Sequence, residues 1–391
     1  MTSAQWARLT ASVLRLVGLV GLATVAIAGL LDGTVGPLNV APVLVFVYFW
    51  LVVPFLAALV GDLWRWMSPW GTLTRWINRS RPERGDVVAR LGVWPATVAL
   101  LSFTWLELVY VDAGNPRALG VAALVYTAIV LVTGRFAGPE SGLRLADAFH
   151  TYNGLFGAIA PVALVPDGAG TAKVVHRGWL RGLPSFPEWP GLASFVVTMI
   201  GTVTYDGLSG TELWADLVGD LRREMWFGTL ALIGSVVVIG AAYLAACVVA
   251  ARLGRGSHSH RGAAGRSPTA YLVARRFAHT LVPIALAYAV AHYLTLVLFE
   301  GQLLFAAVSD PLGRGWDLFG TADRAVTFWL SSEVVWYLQV AAIVGGHVLG
   351  VVLAHDRALT DFGGDVAMRT QYAMLALMVA LTSLGLFILP G

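Results

Sequence analysis

Long apolar stretches separated by short polar ones run along the whole chain. A helix crossing a ~30 Å hydrocarbon core needs roughly 20 predominantly apolar residues. Nine stretches meet that need, at about 13–31, 40–60, 93–111, 118–134, 191–206, 227–251, 277–298, 328–354 and 370–389. The pattern predicts an all-α, polytopic transmembrane helix bundle of about nine spans. The first stretch is longer than a signal-peptide core, and Asp32-Gly33 follows where a small-residue cleavage site would stand, so it reads as a retained helix. Residues 1–391 read as a single integral membrane domain, with cytoplasmic loops at about 61–92, 135–190 and 252–276. Within the second loop, Leu145 to Val165 reads as an interfacial or re-entrant helix. No internal repeat is visible, and nine spans do not divide into two equal inverted halves, which disfavours a repeat-built transporter.

Composition narrows the class. Of the 391 residues, 57% are hydrophobic and 13% charged, against roughly 25% charged in a soluble domain. That excludes an ordinary soluble enzyme, a disordered chain and a nucleic-acid binder. The net charge of +3 rests almost wholly on arginine, Lys173 being the single lysine. Of the 26 Lys and Arg, 21 fall in the N-terminal segment and in the loops after the second, fourth, sixth and eighth stretches. By the positive-inside rule the N-terminus is cytoplasmic and Gly391 outside, in a multi-pass protein of the cell membrane. The bilayer is its first partner, and the composition fixes no oligomeric state. Trp64, Trp66, Trp70 and Trp76 place segment 62–78 along the inner surface, with its arginines toward lipid phosphates. One cysteine, Cys247, allows neither a disulfide nor a cysteine-based metal site.

Ionisable groups at membrane depth cost at least ~2.5 kcal/mol and need partners or a wet cavity. On the eighth stretch Glu333, Tyr337, His347 and His355 fall within an ~80° arc of an ideal helix. The pattern Gly346-His347-Val348-Leu349-Gly350 would let another backbone approach closely there. The seventh stretch carries His279, Tyr288, His292 and Thr295, with Glu300 just beyond its end. Pro283 has no N–H to give the His279 carbonyl, which predicts a kink with a free carbonyl beside an imidazole. Thr198, Thr202 and Tyr205 share a face of the fifth stretch, which ends at Asp206-Gly207; Glu107 lies on the third between Thr104 and Tyr110.

Depth sorts these groups. Glu107, Asp206, His292, Glu300 and Glu333 belong to the outer half; Asp62, His279, His347, His355 and Asp356 belong to the inner half. Carboxylates with an imidazole suit a divalent cation or a proton relay, and an imidazole-rich set suits zinc, copper, nickel or haem iron. We therefore assign candidate catalytic roles to Glu107, Asp206, Tyr288, Glu300 and Glu333. His279, His292, His347, His355 and Asp356 are candidate ligands of a divalent metal ion of unspecified identity. His258-Ser259-His260, in a Gly/Ser/Arg-rich stretch, reads as incidental. No Gly-x-Ser-x-Gly, Walker loop or dinucleotide fingerprint is present.

Several of these residues lie in segments with a family likeness. Gly61-Asp62-Leu63-Trp64-Arg65, Ser68-Pro69-Trp70 and Phe277-Ala278-His279-Thr280-Leu281-Val282-Pro283 resemble the actinobacterial integral-membrane family of fenitrothion hydrolase-like proteins. So do His292-Tyr293-Leu294-Thr295, Phe299-Glu300-Gly301-Gln302, Ser309-Asp310-Pro311-Leu312-Gly313, Gly346-His347 and His355-Asp356-Arg357. The likeness runs from about residue 60 to the end and is closest over 277–357. It implies hydrolysis of the aryl ester bond of an organophosphorus triester, a small apolar substrate that partitions into the bilayer. A divalent metal would activate water and polarise the phosphoryl oxygen, with carboxylates as ligands or general base. The same buried groups are compatible with an ion, proton or small-solute pathway, or with a haem-b electron-transfer subunit ligated by His279 and His347.

Overall fold

The computed structural model describes residues 3–31, 39–166, 172–254, 269–362 and 364–389. The His258-Ser259-His260 stretch and Asp32-Gly33 lie outside the described residues. Eight described helices are long and apolar enough to cross a membrane, with a ninth if Gly85–Leu91 and Trp94–Leu108, bent by 62°, form one span. The chain is an all-α, polytopic membrane protein. It clusters into two compact units that alternate along the sequence, residues 1–99, 110–182 and 293–331 in one and 100–109, 183–292 and 332–391 in the other.

In the first unit Ser3–Leu31 packs on Pro116–Ala137 and on the short helices Trp64–Met67 and Pro69–Ile77. Gly18 permits that approach, because a side chain there would collide with the backbone of Met67. The apolar, aromatic-rich run Val43–Val52 winds as a π-helix between Val40–Pro42 and Val53–Val60. It offers Phe49 and Trp50 to an aromatic core. Phe49 meets Phe149 at 4.4 Å and Trp64 at 5.2 Å, Trp70 meets Tyr126 at 4.6 Å, and Trp50 stacks on Tyr152 at 4.8 Å. Of the tryptophans in segment 62–78, Trp64, Trp66 and Trp70 turn inward and are buried within the unit, and Trp76 is exposed. Arg75 faces Glu140 at 2.7 Å rather than a lipid phosphate. Two short amphipathic helices can bury indoles inward against other helices as readily as outward against lipid, and here the aromatic core wins.

The 135–190 stretch also departs from expectation. Pro139–Ala146 and Ala148–Gly157 are helical, but Val162–Pro166 pairs antiparallel with Ala172–His176 as a hairpin. The β-branched Val-rich sequences on both sides favour strands.

The second unit is built on Leu192–Ser209, Met225–Leu253, Ser332–Phe362 and Gly364–Phe387, with Ala270–Phe277 and the first part of Val282–Leu298. The helix expected at 328–354 runs instead from Ser332 to Phe362. Serine and an acid favour a helix start at Ser332-Glu333. Past the apolar stretch, Arg357 pairs with Asp361 one turn on at 3.2 Å and with Glu188 at 2.6 Å, and Arg276 reaches Asp361 at 3.4 Å. The break at Pro283 is present as a 3₁₀ turn over Ala278–Leu281. Its consequence differs from the expectation: the Val282 N–H donates to the His279 carbonyl, so tightening the helix by one residue satisfies that oxygen.

Candidate functional site

The second unit brings together two of the predicted site residues in one bond. His292 Nε2 lies 2.9 Å from Asp206 Oδ2, linking positions 86 residues apart. Both side chains are about one-fifth exposed, at 20% and 22%. Asp206 stands near the end of Leu192–Ser209, and His292 is one turn beyond Tyr288 on Val282–Leu298. Beside the pair is a cavity of about 10 Å³ lined by His292, Tyr288, Val203, Ile343 and Gly385 among others, room for about one water. The Tyr288 hydroxyl donates to the Leu381 carbonyl, and its ring lies 5.7 Å from that of His347.

His347 is buried in the middle of Ser332–Phe362. Its Nδ1 lies 2.7 Å from the Ile343 carbonyl. A carbonyl only accepts, so Nδ1 carries the proton and, in the neutral ring, Nε2 is an acceptor. Gln339, two turns before His347, donates to the Ala291 carbonyl at 2.8 Å and is fully buried. The sequence reading missed this amide, since an uncharged residue among Ala and Val carries no cost signal comparable to an acid's.

The other predicted residues do not join them. Glu333 and Asp356 are exposed, and Tyr337 is 58% exposed. The buried arc of Ser332–Phe362 follows Gln339, Ile343, Gly346, Gly350 and Ala354, so the predicted Glu333–Tyr337–His355 line lies to one side of it. Only His347, at the arc's edge, is buried from that stripe. His355 is half-buried and its Nδ1 lies 2.8 Å from Gln371 Oε1. His279 is buried in the 3₁₀ turn, and Glu107 is half-buried near Trp105, whose indole donates to Thr229 at 2.8 Å. Glu300 is exposed in the one-turn helix Glu300–Gln302 of the first unit. Thr198 and Thr202 hydroxyls return to carbonyls of their own helix.

Among the described residues no group of three or more His, Cys, Asp or Glu could hold a metal ion. The expected ligand set is not assembled there. A haem between His279 and His347 meets a packing obstacle. A Cβ at Gly346 would come within 2.7 Å of the Pro283 carbonyl oxygen, and one at Gly350 within 3.0 Å of that of Thr280. Backbones in such contact leave no slot for a macrocycle between them.

Family models, curated proteins and solved structures were compared with the chain. None matches.

The first unit holds a polar set, Asp62, Asp147 and His150, of which the sequence reading singled out Asp62 alone. Asp147 is fully buried at the N-cap of Ala148–Gly157, its Oδ1 accepting from the Tyr126 hydroxyl at 3.1 Å and the Phe149 N–H at 3.0 Å. Burial pushes its carboxyl up to about 6, although those donors favour the charged form. Asp62 is likewise raised to about 6 by burial, opposed by the N–H of Arg65 and by the nearby Arg65, Arg75 and Arg177. Burial pushes the neighbouring His150 down to about 4, with Glu140 pulling the other way. The available signal was Asp147-Ala148 opening a short apolar run, the pattern of a helix N-cap.

Proposed function

We propose that this protein is a membrane-embedded hydrolase of the cell membrane, cleaving an apolar ester such as an aryl phosphotriester, with the Asp206–His292 couple activating water. The observation that carries this reading is the 2.9 Å Nε2–Oδ2 contact beside a cavity of one water's size. A carboxylate bonded to an imidazole fixes the ring's tautomer and orientation, the arrangement that general base catalysis uses. The couple accepts a proton from water as the water oxygen bonds to phosphorus. The bond from phosphorus to the aryl oxygen breaks with its electron pair, and the aryloxide takes up a proton, giving a phenol and a phosphodiester. The surrounding apolar spans give an ester dissolved in the bilayer a way in. The resemblance over 277–357 supports the substrate class. The described residues gather no group of three or more His, Cys, Asp or Glu around a metal position, and in this reading the couple acts on water directly.

Purified protein in detergent micelles, assayed with a chromogenic aryl phosphotriester, tests the reading. Turnover is expected, with Asp206→Asn and His292→Gln each lowering it by at least about a hundredfold. Absence of turnover by the parent protein, or full rates in both variants, overturns it.

One observation favours a second reading, a proton pathway: Tyr288 stands one turn from His292 and its ring neighbours that of His347, setting three protonatable side chains along the second unit. Proton uptake into proteoliposomes that is lost in His292→Gln would support this reading over the hydrolase.

A further inference from the structure

The segment from Glu300 to Ser331 in the first unit joins Val282–Leu298 to Ser332–Phe362 through two short helices, Glu300–Gln302 and Leu303–Ser309, and a long loop. Phe305, Trp316, Leu318, Phe319, Phe328 and Trp329 are all exposed on it, Phe319 at 67% and Phe328 at 75%. So much large apolar surface on one segment marks a contact surface rather than a solvated loop.

Three observations say what covers it. The first is position: the segment runs beside a crossing helix and not above it. Gly301 lies against Val47, where a Cβ would stand 3.6 Å from that side chain, and its carbonyl accepts from the Tyr48 hydroxyl at 3.1 Å. The Pro311 carbonyl accepts from the Val40 N–H at 3.4 Å. Leu303–Ser309 therefore climbs along the outer part of the span Val40–Val60, where lipid is the surrounding medium.

The second is a backbone closed on itself. The buried Asp310 carboxylate accepts from the N–H groups of Arg314 at 2.8 Å and Gly315 at 2.7 Å. The Ser309 hydroxyl accepts from the Phe319 N–H at 3.0 Å, and Asp317 from the Ala322 N–H at 3.0 Å. The Gln302 amide pairs with both backbone groups of Thr327. Water would satisfy these groups unaided, whereas a medium of low polarity demands internal partners.

The third is the placing of charge. Arg324 lies over the Phe305 ring at 4.7 Å and Arg314 over that of Trp316 at 5.9 Å, while Glu300 is exposed at the foot of the segment. Exposed ions exclude the hydrocarbon centre. Indoles and ring-stacked guanidinium groups suit the headgroup layer.

We infer that residues 300–331 form an interfacial anchor in the headgroup–acyl boundary of the outer leaflet, its aromatic side chains among acyl chains and Arg314 and Arg324 toward lipid phosphates. The anchor is independent of the Asp206–His292 couple and of the hydrolase reading.

The test uses the full chain in vesicles of phosphatidylethanolamine and phosphatidylglycerol, with the buried Cys247 left in place. A nitroxide on Phe319→Cys or Phe328→Cys reports collisions with oxygen, which concentrates in lipid, and with a water-soluble nickel chelate. Val125→Cys, on the exposed flank of Pro116–Ala137, gives the lipid reference, and Ser80→Cys the aqueous one. Both segment labels are expected to favour oxygen over nickel, by a smaller margin than Val125→Cys because the boundary is shallower. A preference for nickel, as at Ser80→Cys, would put the segment in water and overturn the inference. Protection from both reagents would mean that a protein partner or a second copy covers it, and would overturn it equally. A second measurement needs no label. The tryptophan emission that Trp329→Phe removes should be quenched more by lipids brominated near the headgroup than by lipids brominated near the chain end. Absent or uniform quenching overturns the inference even if the labelled variants fail to fold.

Discussion

A carboxyl taken out of water titrates at higher pH, and an imidazole treated the same way titrates at lower pH. The first unit contains both cases within a few residues of chain. Asp62 and Asp147, held at about 6, add stability that is full below the ordinary carboxylate value and is lost as pH rises through about 6. His150, held at about 4, adds stability that is full above the ordinary imidazole value and is lost as pH falls toward 4. Between about pH 4 and 6 the groups oppose each other, two carboxyls against one imidazole. For fully buried Asp147 the effect is on the order of 3 kcal/mol. Removing the imidazole should therefore unmask the carboxyls. In His150→Gln the melting temperature, followed by tryptophan fluorescence, is expected to climb more steeply than in the parent protein from about pH 7 to about pH 5. Asp147→Asn should flatten the same curve. Parallel curves for all three proteins would show that these groups do not set the acid response.

At the scale of helices, hydropathy located the eight long apolar helices among the described residues, because each needs about 20 apolar residues, and its stretch at 93–111 falls on the second helix of the bent pair. It was less able to place their ends. Ser332–Phe362 overran its apolar stretch because Arg357, Asp361 and Glu188 satisfy one another, a tertiary fact that no window average contains. Trp64, Trp66 and Trp70 could not be assigned to lipid or to core from composition, since both environments accept an indole. The site was legible by residue type and not by partnership. Asp206 and His292 were both selected, yet nothing in a separation of 86 residues announces a bond. Asp147 went unselected because its segment reads as an interfacial or re-entrant helix, outside the spans in which the cost of an ionisable group was weighed. The small-residue pattern at 346–350 did transfer to structure. Gly346 lies against the Pro283 backbone, where a Cβ would come within 2.7 Å of an oxygen, whereas a Cβ at Gly345 meets nothing within 4 Å. Gly346→Ala is expected to destabilise the protein by about 1–3 kcal/mol through this overlap. Gly345→Ala, exposed on the same helix, is expected to be neutral or stabilising by up to about 1 kcal/mol through helix propensity. Melting temperatures in one detergent compare the two. A larger loss in Gly345→Ala would contradict the packing of Ser332–Phe362 described above.

For the whole molecule, orientation in the bilayer follows from charge, because Lys and Arg near span ends are retained on the cytoplasmic side. The 21-to-5 division of basic residues among the loops assigns Ser80 to the cytoplasm and Asp216 to the outside. Both are exposed, one between the second span and the bent pair Gly85–Leu91 and Trp94–Leu108, the other in the short helix Glu212–Val218. The native Cys247 is fully buried, so it contributes little background to thiol labelling and can stay in place. A membrane-impermeant maleimide added to intact cells should label Asp216→Cys and leave Ser80→Cys untouched; after the membrane is opened, both should react. The opposite pattern would invert the topology and exchange the depths given to Asp206 and His292 with those given to His279, His347 and His355. Labelling of both from outside would mean an even number of crossings between Ser80 and Asp216. The bent pair, Pro116–Ala137 and Leu192–Ser209 make three if each crosses once. The 62° bend is then the feature in question, since a pair that enters and returns on one side removes one crossing.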